Sequence, residues 1–129
     1  MNGKNGKKRI VIAEDDPQIA RLLKFNLEKS GFEVTCGENG QKALEHIREE
    51  HPDLVVLDLM MPIMDGGELM RIIKADEETS GIPAIILTAR GMEDDILKGF
   101  ESGAVDYMVK PFSVSELAAR VKSCLARAS

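Results

Sequence analysis

Residues 54–62 read LVVLDLMMP, and this stretch decides the fold. The apolar run from Leu54 to Leu57 has the length and composition of a strand that is buried on both faces. Such strands are typical of a parallel sheet that is covered by helices on both sides. Asp58 follows the run directly, so the strand places one carboxylate at its carboxyl end.

Four further apolar runs of strand length begin near Ile10, Val34, Ala84 and Tyr107, and segments with helical periodicity separate the runs. The alternation predicts an α/β fold in which a five-stranded parallel sheet is doubly wound, with helices on both faces. We expect five helices: one after Asp16 that ends before Gly31, Gly40 to Glu49, Gly66 to Ala75, Glu93 to Ser102, and one capped by Ser113 and Glu116. The predicted buried stripes are Ile19, Leu22, Leu23 and Leu27 in the first helix, Ala43, Leu44 and Ile47 in the second, and Leu69, Ile72 and Ile73 in the third.

The composition describes one domain of 129 residues with 43% hydrophobic residues and a net charge of −5. Neither a secretory signal nor a membrane-spanning run occurs, so we expect a cytoplasmic protein without a membrane partner. Lys4, Lys7, Lys8 and Arg9 are the only charged residues among the first nine, which makes the remainder more acidic still. An acidic domain is a poor surface for nucleic acid. Cys36 and Cys124 lack metal-type spacing, and we interpret both as ordinary free thiols.

Polar residues follow four of the predicted strands: the triplet Glu14-Asp15-Asp16, then Asp58, Thr88 and Lys110. The ligand crevice of an open parallel sheet lies beyond the carboxyl ends of the strands. We therefore expect all four groups to meet at one rim of the sheet. An acidic cluster, a carboxylate and a cation are the components of a magnesium-assisted phosphoryl site.

The three acids of the triplet have different predicted roles. Pro17 suits the first position of a helix and Asp is a favoured N-cap, so Asp16 is mostly structural. Glu14, Asp15 and Asp58 would repel one another unless a divalent cation lay between them, and Mg²⁺ fits this ligand set, with Mn²⁺ as an alternative. Asp58 is either a third ligand or a nucleophile that forms an acyl phosphate.

Two further residues have a functional and a structural interpretation. Lys110 can neutralise a transferred phosphoryl group, because its ammonium is a compact charge on a flexible stem; the alternative is a surface lysine. The Thr88 hydroxyl could donate to a phosphoryl oxygen, or Thr88 could be an ordinary β-branched strand residue.

Four fragments in order, VIAEDDP, DLVVLDLMMPIMDG, IILTARG and GAVDYMVKPF, resemble the receiver domain of two-component response regulators. The similarity extends from Arg9 to Ala126. It implies a flavodoxin-like sheet with strand order 2-1-3-4-5. We expect a disordered basic tail at residues 1–8, a receiver domain at 9–128, and no output domain in this chain.

The resemblance also implies a role for each matching residue. Asp58 would be the phosphoacceptor, Asp15 would bind Mg²⁺ directly, and Glu14 would bind it through water. Asp58 itself and the backbone carbonyl of Met60 would complete the protein ligands. Thr88 and Tyr107 would form the switch pair. Lys110 would hold the phosphoryl group, and the peptide bond between Lys110 and Pro111 would be cis.

By the same resemblance, the protein is a phosphoacceptor signalling module, not an enzyme that turns over an external substrate. The phosphoryl donor would be a histidine kinase or a histidine phosphotransfer protein. The face of the fourth helix, fifth strand and fifth helix would then switch its affinity for an effector protein or domain, or form a phosphorylation-dependent homodimer. Ile96 and Val105 replace the charges that are usual on that face, and Gly67 replaces a bulkier residue after the DG turn.

Two other functions remain as alternatives. A Mg²⁺-dependent phosphatase would use the same aspartyl phosphate, but such enzymes commonly need a second carboxylate two residues after the nucleophile, where this chain has Met60. A binding module that acts independently of phosphorylation is also disfavoured, because it would not require the set of acidic residues and Lys110. A nucleotide site is disfavoured, because no P-loop or GxGxxG follows the first strand.

Overall fold

The computed structural model describes residues 6–89, 106–110 and 112–128. Five strands form one parallel sheet: β1 (Arg9–Ala13), β2 (Glu33–Gly37), β3 (Leu54–Asp58), β4 (Ala84–Ala89) and β5 (Asp106–Lys110). The strand order is β2-β1-β3-β4-β5, so the predicted fold class and order are confirmed. The fourth predicted helix, with Ile96 and Val105, lies outside the described residues, and so does Pro111 with the cis peptide expected there.

Four helices occur in the described ranges: α1 (Pro17–Lys29), α2 (Gly40–Glu50), α3 (Gly66–Ala75) and the C-terminal helix (Val114–Ala128). Asp16, Asn39 and Asp65 cap the first three helices through their side chains. The Ser113 hydroxyl accepts a hydrogen bond from the Glu116 N–H at 3.1 Å, at the start of the C-terminal helix where the sequence predicted a cap. Gly31, just after α1, has a φ of +102°, as expected for a left-handed residue at a helix end.

The core lies on both faces of the sheet, because alternate strand residues point to opposite sides. On one face, Val11, Val55 and Ile86 pack with buried residues of α2 and α3. On the other face, Ile12, Val56 and Leu87 pack with buried residues of α1 and the C-terminal helix. The predicted arrangement of helices on both faces is therefore confirmed.

Two of the predicted helix stripes differ in detail from the structure. Leu22 of α1 is 52% exposed, whereas Leu23 and Leu27 are buried. In α3 the fully buried side chains include Met70, and Ile72 is only partly buried. Periodicity gives the width of an apolar stripe but not its centre, so a neighbouring residue can replace the expected one.

The ends of the described chain bear on two other expectations. The predicted disordered tail covers residues 1–8, of which residues 1–5 lie outside the described part of the chain. At the other end of that range, the Lys8 carbonyl accepts a hydrogen bond from the Glu33 N–H at 2.9 Å. Among the described residues, no helix combines the length and the apolar character needed to cross a membrane.

Candidate functional site

Asp58 is the last residue of β3, a strand in which every residue is buried. Its side chain is almost inaccessible, with 5% of the residue exposed. One carboxylate oxygen, Oδ1, accepts a hydrogen bond from the Met60 N–H at 3.0 Å. The other oxygen, Oδ2, accepts one from Lys110 Nζ at 2.5 Å. The strand therefore presents a buried carboxylate whose two oxygens have different partners.

The acidic triplet after β1 separates into three environments. Glu14 is buried with 2% exposed, and its Oε2 accepts a hydrogen bond from the Asp16 N–H at 3.1 Å. Asp15 is exposed. Asp16 Oδ1 accepts from the N–H groups of Gln18 and Ile19 at 2.9 and 3.3 Å, which confirms the predicted N-cap. Because Asp16 serves as the helix cap, Glu14 and Asp15 are the two acids of the triplet that remain available for a role at the site.

Glu14, Asp15 and Asp58 converge at the rim of the sheet. Each offers a carboxylate oxygen, and the three oxygens lie within 4.8 Å of one another. Three carboxylates at this separation repel one another strongly unless a cation neutralises them. Oxygen ligands from carboxylates, with one exposed residue leaving room for water, are the donor set that Mg²⁺ takes in proteins. The residues present therefore fit a divalent metal of this kind.

Lys110, the last residue of β5, reaches the same carboxylates. Its Nζ lies 3.3 Å from Glu14 Oε1 in addition to its contact with Asp58. Burial lowers the pKa of this lysine, but the hydrogen bond and charge of Asp58, followed by the charge of Glu14, outweigh burial and leave the pKa above its ordinary value. Lys110 is therefore held as a cation beside the two buried acids.

Glu14 has the most perturbed carboxyl group at the site. Its pKa is raised from 4.5 to about 7; burial is the largest cause, and the charge of Asp58 acts in the same direction. The hydrogen bond from Asp16 and the nearby Lys110 act in the opposite direction without restoring the ordinary value. A buried acid that is costly to ionise is a common property of functional sites.

Thr88 and Tyr107 lie on neighbouring strands. Thr88 pairs with Val109 and Tyr107 pairs with Ile86 in the register of β4 and β5. Paired residues of parallel strands share a face of the sheet, and so do residues two apart, so Thr88 and Tyr107 are on the same face. Thr88 is buried with 1% exposed, whereas Tyr107 is 36% exposed.

Sequence reasoning missed three features of this site. It did not foresee the Met60 N–H as a donor to Asp58, the contact between Lys110 and Glu14, or the role of Gly66. A Cβ atom built at Gly66 would lie 2.5 Å from the backbone oxygen of Asp58. The Gly66 N–H also donates to the Leu59 carbonyl at 3.1 Å, so the loop after β3 closes tightly. The doubled glycine at the start of α3 was the available signal.

The sequence model of the response regulator receiver domain matches residues 10–122. The chain belongs to the response regulator receiver domain family. It is therefore a signalling module of two-component systems.

Curated relatives of this receiver domain include a transcriptional regulatory protein and a DNA-binding response regulator. The phosphate regulon transcriptional regulatory protein PhoB of Rhizobium meliloti is 46% identical over 120 residues, which are 93% of this chain and 53% of the relative. The DNA-binding response regulator MtrA of Mycolicibacterium smegmatis is 44% identical over 121 residues, 94% of this chain and 52% of the relative. The chain thus spans about half the length of these relatives.

Solved receiver structures agree with the fold. A Francisella response regulator receiver domain is 34% identical with a TM-score of 0.87, and the match covers 95% of this chain and 100% of that one. The signal receiver domain of a signal transduction histidine kinase from Syntrophus aciditrophicus is 36% identical with a TM-score of 0.85, covering 92% and 90%. Receiver domains of regulators and of a kinase therefore share this architecture.

Proposed function

We propose that this receiver domain accepts a phosphoryl group on Asp58 from a phosphohistidine, carried by a histidine kinase or a histidine phosphotransfer protein. One observation supports this most directly. Asp58 is a buried carboxylate at a strand end, with Lys110 on one oxygen and with Glu14 and Asp15 close by. Membership of the receiver family supports the same role.

In the proposed transfer, an oxygen of Asp58 attacks phosphorus and the P–N bond of the phosphohistidine breaks. The electron pair of that bond returns to the imidazole nitrogen, which takes up a proton, and an acyl phosphate remains on Asp58. Because charge is spread over three phosphoryl oxygens, catalysis depends on alignment and neutralisation. Lys110 supplies one positive charge, and the Met60 N–H orients the carboxylate through Oδ1.

Glu14, Asp15 and Asp58 would hold Mg²⁺, or Mn²⁺ in its place, with the Met60 carbonyl as a further ligand. The bound ion would neutralise phosphoryl oxygens during transfer. The Glu14 pKa of about 7 supports this assignment, because burial makes the ionised carboxylate costly and a bound cation would offset that cost.

The response to phosphorylation is proposed by similarity to the family. Thr88 would donate its hydroxyl to the phosphoryl group, Tyr107 would turn inward on the same face of the sheet, and the bond from Lys110 to Pro111 would be cis. The surface that includes β5 and the C-terminal helix would then bind an effector protein or domain, or a second phosphorylated copy. The names of the two relatives favour a transcriptional output, in which another domain would contact DNA and this acidic domain would not.

We place the tail at residues 1–8, the receiver domain at 9–128 and the protein in the cytoplasm.

Labelling with phosphoramidate in the presence of Mg²⁺ tests the phosphoacceptor. Phosphoramidate has the P–N bond of phosphohistidine without a protein surface. We expect intact-mass spectra to show one added phosphoryl group on the wild type and none on Asp58→Asn. Asp65→Asn is the matched control, because Asp65 lies in the same loop, is exposed and caps α3 through a carboxylate oxygen that an amide can replace. Labelling of Asp58→Asn at the wild-type rate would contradict the assignment.

A further inference from the structure

The loop between β3 and α3 exposes large apolar side chains next to the phosphoacceptor. Ile63 is 80% exposed and Met60 is 62% exposed. Met61 and Met64, in contrast, pack partly against the core beneath α2 and α3. No charged residue occurs from Leu59 to Met64. An uncharged apolar tip therefore stands beside an acidic site.

Ile63 at this tip has an unusual backbone. Its φ is +70°, and the Met64 N–H donates to the Pro62 carbonyl at 2.7 Å across it. These features define a γ-turn with positive φ at its centre, a form that is rare and strained. A β-branched side chain in this region of φ is an outlier. Strain of this kind persists where the surroundings or function require it.

Local structure does not account for isoleucine at this position. The other described non-glycine residue with positive φ, His51, caps the end of α2, where a left-handed residue is common. Ile63 caps no helix, and its exposure shows that core packing does not compensate for the strain. Glycine or asparagine would form the same turn with less strain. Isoleucine therefore occupies this position although glycine or asparagine would suit the backbone better and a polar side chain would be better solvated.

The position of Ile63 relative to Asp58 indicates what could contact it. Gly66 packs against the backbone of Asp58, and Ile63 lies three residues earlier, a span of at most about 11 Å. A typical protein interface buries about 800 Å² on each partner, which corresponds to a disc of roughly 16 Å radius. A folded protein that delivers a phosphohistidine to Asp58 therefore covers Ile63 as well. A small phosphoryl donor does not.

We propose that Ile63 is a docking residue for the phosphohistidine-bearing protein. Its exposed side chain inserts into an apolar surface on that donor, with Met60 at the edge of the same contact. The inference rests on the proposed phosphoacceptor role of Asp58. Because the tip is uncharged, the complementary donor surface is apolar, and burial of the Ile63 side chain strengthens the encounter that precedes transfer.

Two substitutions at one position separate docking from chemistry. Ile63→Asn removes the apolar contact and is compatible with positive φ, whereas Ile63→Val keeps an apolar β-branched side chain. Each protein is phosphorylated by phosphoramidate and by an autophosphorylated histidine kinase core, chosen from a purified panel as the one that labels the wild type fastest. Light scattering of each variant measures association between copies, and urea unfolding measures stability.

We expect Ile63→Asn to lower kcat/KM for transfer from the kinase roughly tenfold or more, mainly through KM, and to leave phosphoramidate labelling within about twofold. Ile63→Val should transfer nearly as well as the wild type. Relief of strain should raise the urea midpoint of Ile63→Asn, which excludes misfolding as the cause of slow transfer.

Equal transfer rates from the kinase to the wild type and Ile63→Asn would overturn the docking role. A wild type that no kinase of the panel labels would overturn it too, and so would a change of association state in Ile63→Asn, which would assign the tip to a second copy of the chain. Failure of phosphoramidate to label the wild type would instead refute the phosphoacceptor role itself.

Discussion

The ammonium of Lys110 forms a hydrogen bond to the Asp58 carboxylate and also lies 3.3 Å from Glu14. One cation thus serves two buried acids, which lie 52 and 96 residues before it in the sequence. Because Asp58 Oδ2 is occupied by Lys110 and Oδ1 by the Met60 N–H, the carboxylate is held in a defined orientation before any phosphoryl donor arrives. Such preorganisation is the part of catalysis that a receiver domain can provide itself.

Removal of the Lys110 charge should impair both phosphorylation and stability. We expect Lys110→Ala to slow labelling by phosphoramidate roughly 100-fold, because a fixed charge beside the phosphoryl oxygens is lost. At pH 8 the free energy of unfolding should fall by about 1–3 kcal/mol, because two buried carboxylates lose their counter-charge. Urea unfolding and labelling kinetics measure the two effects.

Lys122→Ala on the exposed side of the C-terminal helix is the matched control and should change neither quantity appreciably. A Lys110→Ala protein that is labelled at the wild-type rate would show that the lysine is structural only. Lys110→Arg should restore most of the stability but less of the rate, because the guanidinium does not replace a compact ammonium at this position.

Glu14 should make the stability of the metal-free protein fall as the pH rises. The folded protein keeps the Glu14 proton up to a pKa of about 7, whereas the unfolded chain releases it near 4.5. Between these values the folded state binds more protons, so stability declines through this window and the loss is complete above it. Glu14→Gln lacks the titration and should be more stable than the wild type by about 1–3 kcal/mol at pH 8 and by little at pH 4.5.

Urea unfolding from pH 4.5 to 8 in a chelating buffer measures this difference. Glu45→Gln, an exposed glutamate on α2, serves as the control and should show no such pH-dependent gain. A constant difference between Glu14→Gln and the wild type across the pH range would contradict the assigned burial cost. Saturating Mg²⁺ should reduce the advantage of Glu14→Gln at pH 8, since the ion neutralises the ionised acid.

Binding of Mg²⁺ should stabilise the wild type through Asp15. At a concentration about 100-fold above the dissociation constant, the ion should add about 3 kcal/mol to the free energy of unfolding. Asp15→Asn should lose most of this gain, because an exposed carboxylate of the three converging acids is neutralised. Calorimetric titration and thermal unfolding with and without Mg²⁺ provide the measurements.

Asp16→Asn gives a control with the same charge change one residue away. Asparagine caps a helix about as well as aspartate, so the helix start is retained. We expect Asp16→Asn to keep the stabilisation by Mg²⁺. If both variants lost it equally, the metal would be held by the general acidity of the loop and not by Asp15.

Residue patterns predicted the fold well because the three central strands, β1, β3 and β4, each contain a continuous apolar run. All five strands begin within one residue of the predicted start, and β3 and β4 begin at Leu54 and Ala84 as expected. The strand order came from the resemblance, since apolar runs alone do not specify which strands are neighbours. The convergence of Glu14, Asp15 and Asp58 followed from their places after adjacent strands of a parallel sheet.

Side-chain contacts and turn geometry were beyond such reasoning. The contact of Lys110 with Glu14 depends on the conformation of a flexible side chain at the end of another strand. Ile63 gave no sequence signal for positive φ, because isoleucine is among the residues least suited to it. The burial of Met70 in place of Ile72 reflects the uncertain centre of a helical stripe.

The glycine pair at the start of α3 should respond asymmetrically to alanine. At Gly66 a Cβ atom would lie 2.5 Å from the Asp58 backbone oxygen and 2.9 Å from the Leu59 Cα, so the loop that holds the phosphoacceptor must shift. We expect Gly66→Ala to lower the free energy of unfolding by about 2 kcal/mol or more and to slow phosphoramidate labelling. At Gly67 the nearest atom would be the Asp65 Oδ1 at 3.4 Å, so alanine fits and should stabilise the helix by about 0.5–1 kcal/mol.

Urea unfolding and labelling of the two variants test the asymmetry directly, since they differ by a single position. Gly67→Ala should keep the wild-type labelling rate. Two variants of equal stability would show that the loop after β3 adapts without strain. Slower labelling of Gly66→Ala in the folded protein would instead tie the position of the Asp58 carboxylate to the close approach of the first turn of α3, because Gly66 contacts the backbone on both sides of the Asp58 to Leu59 peptide.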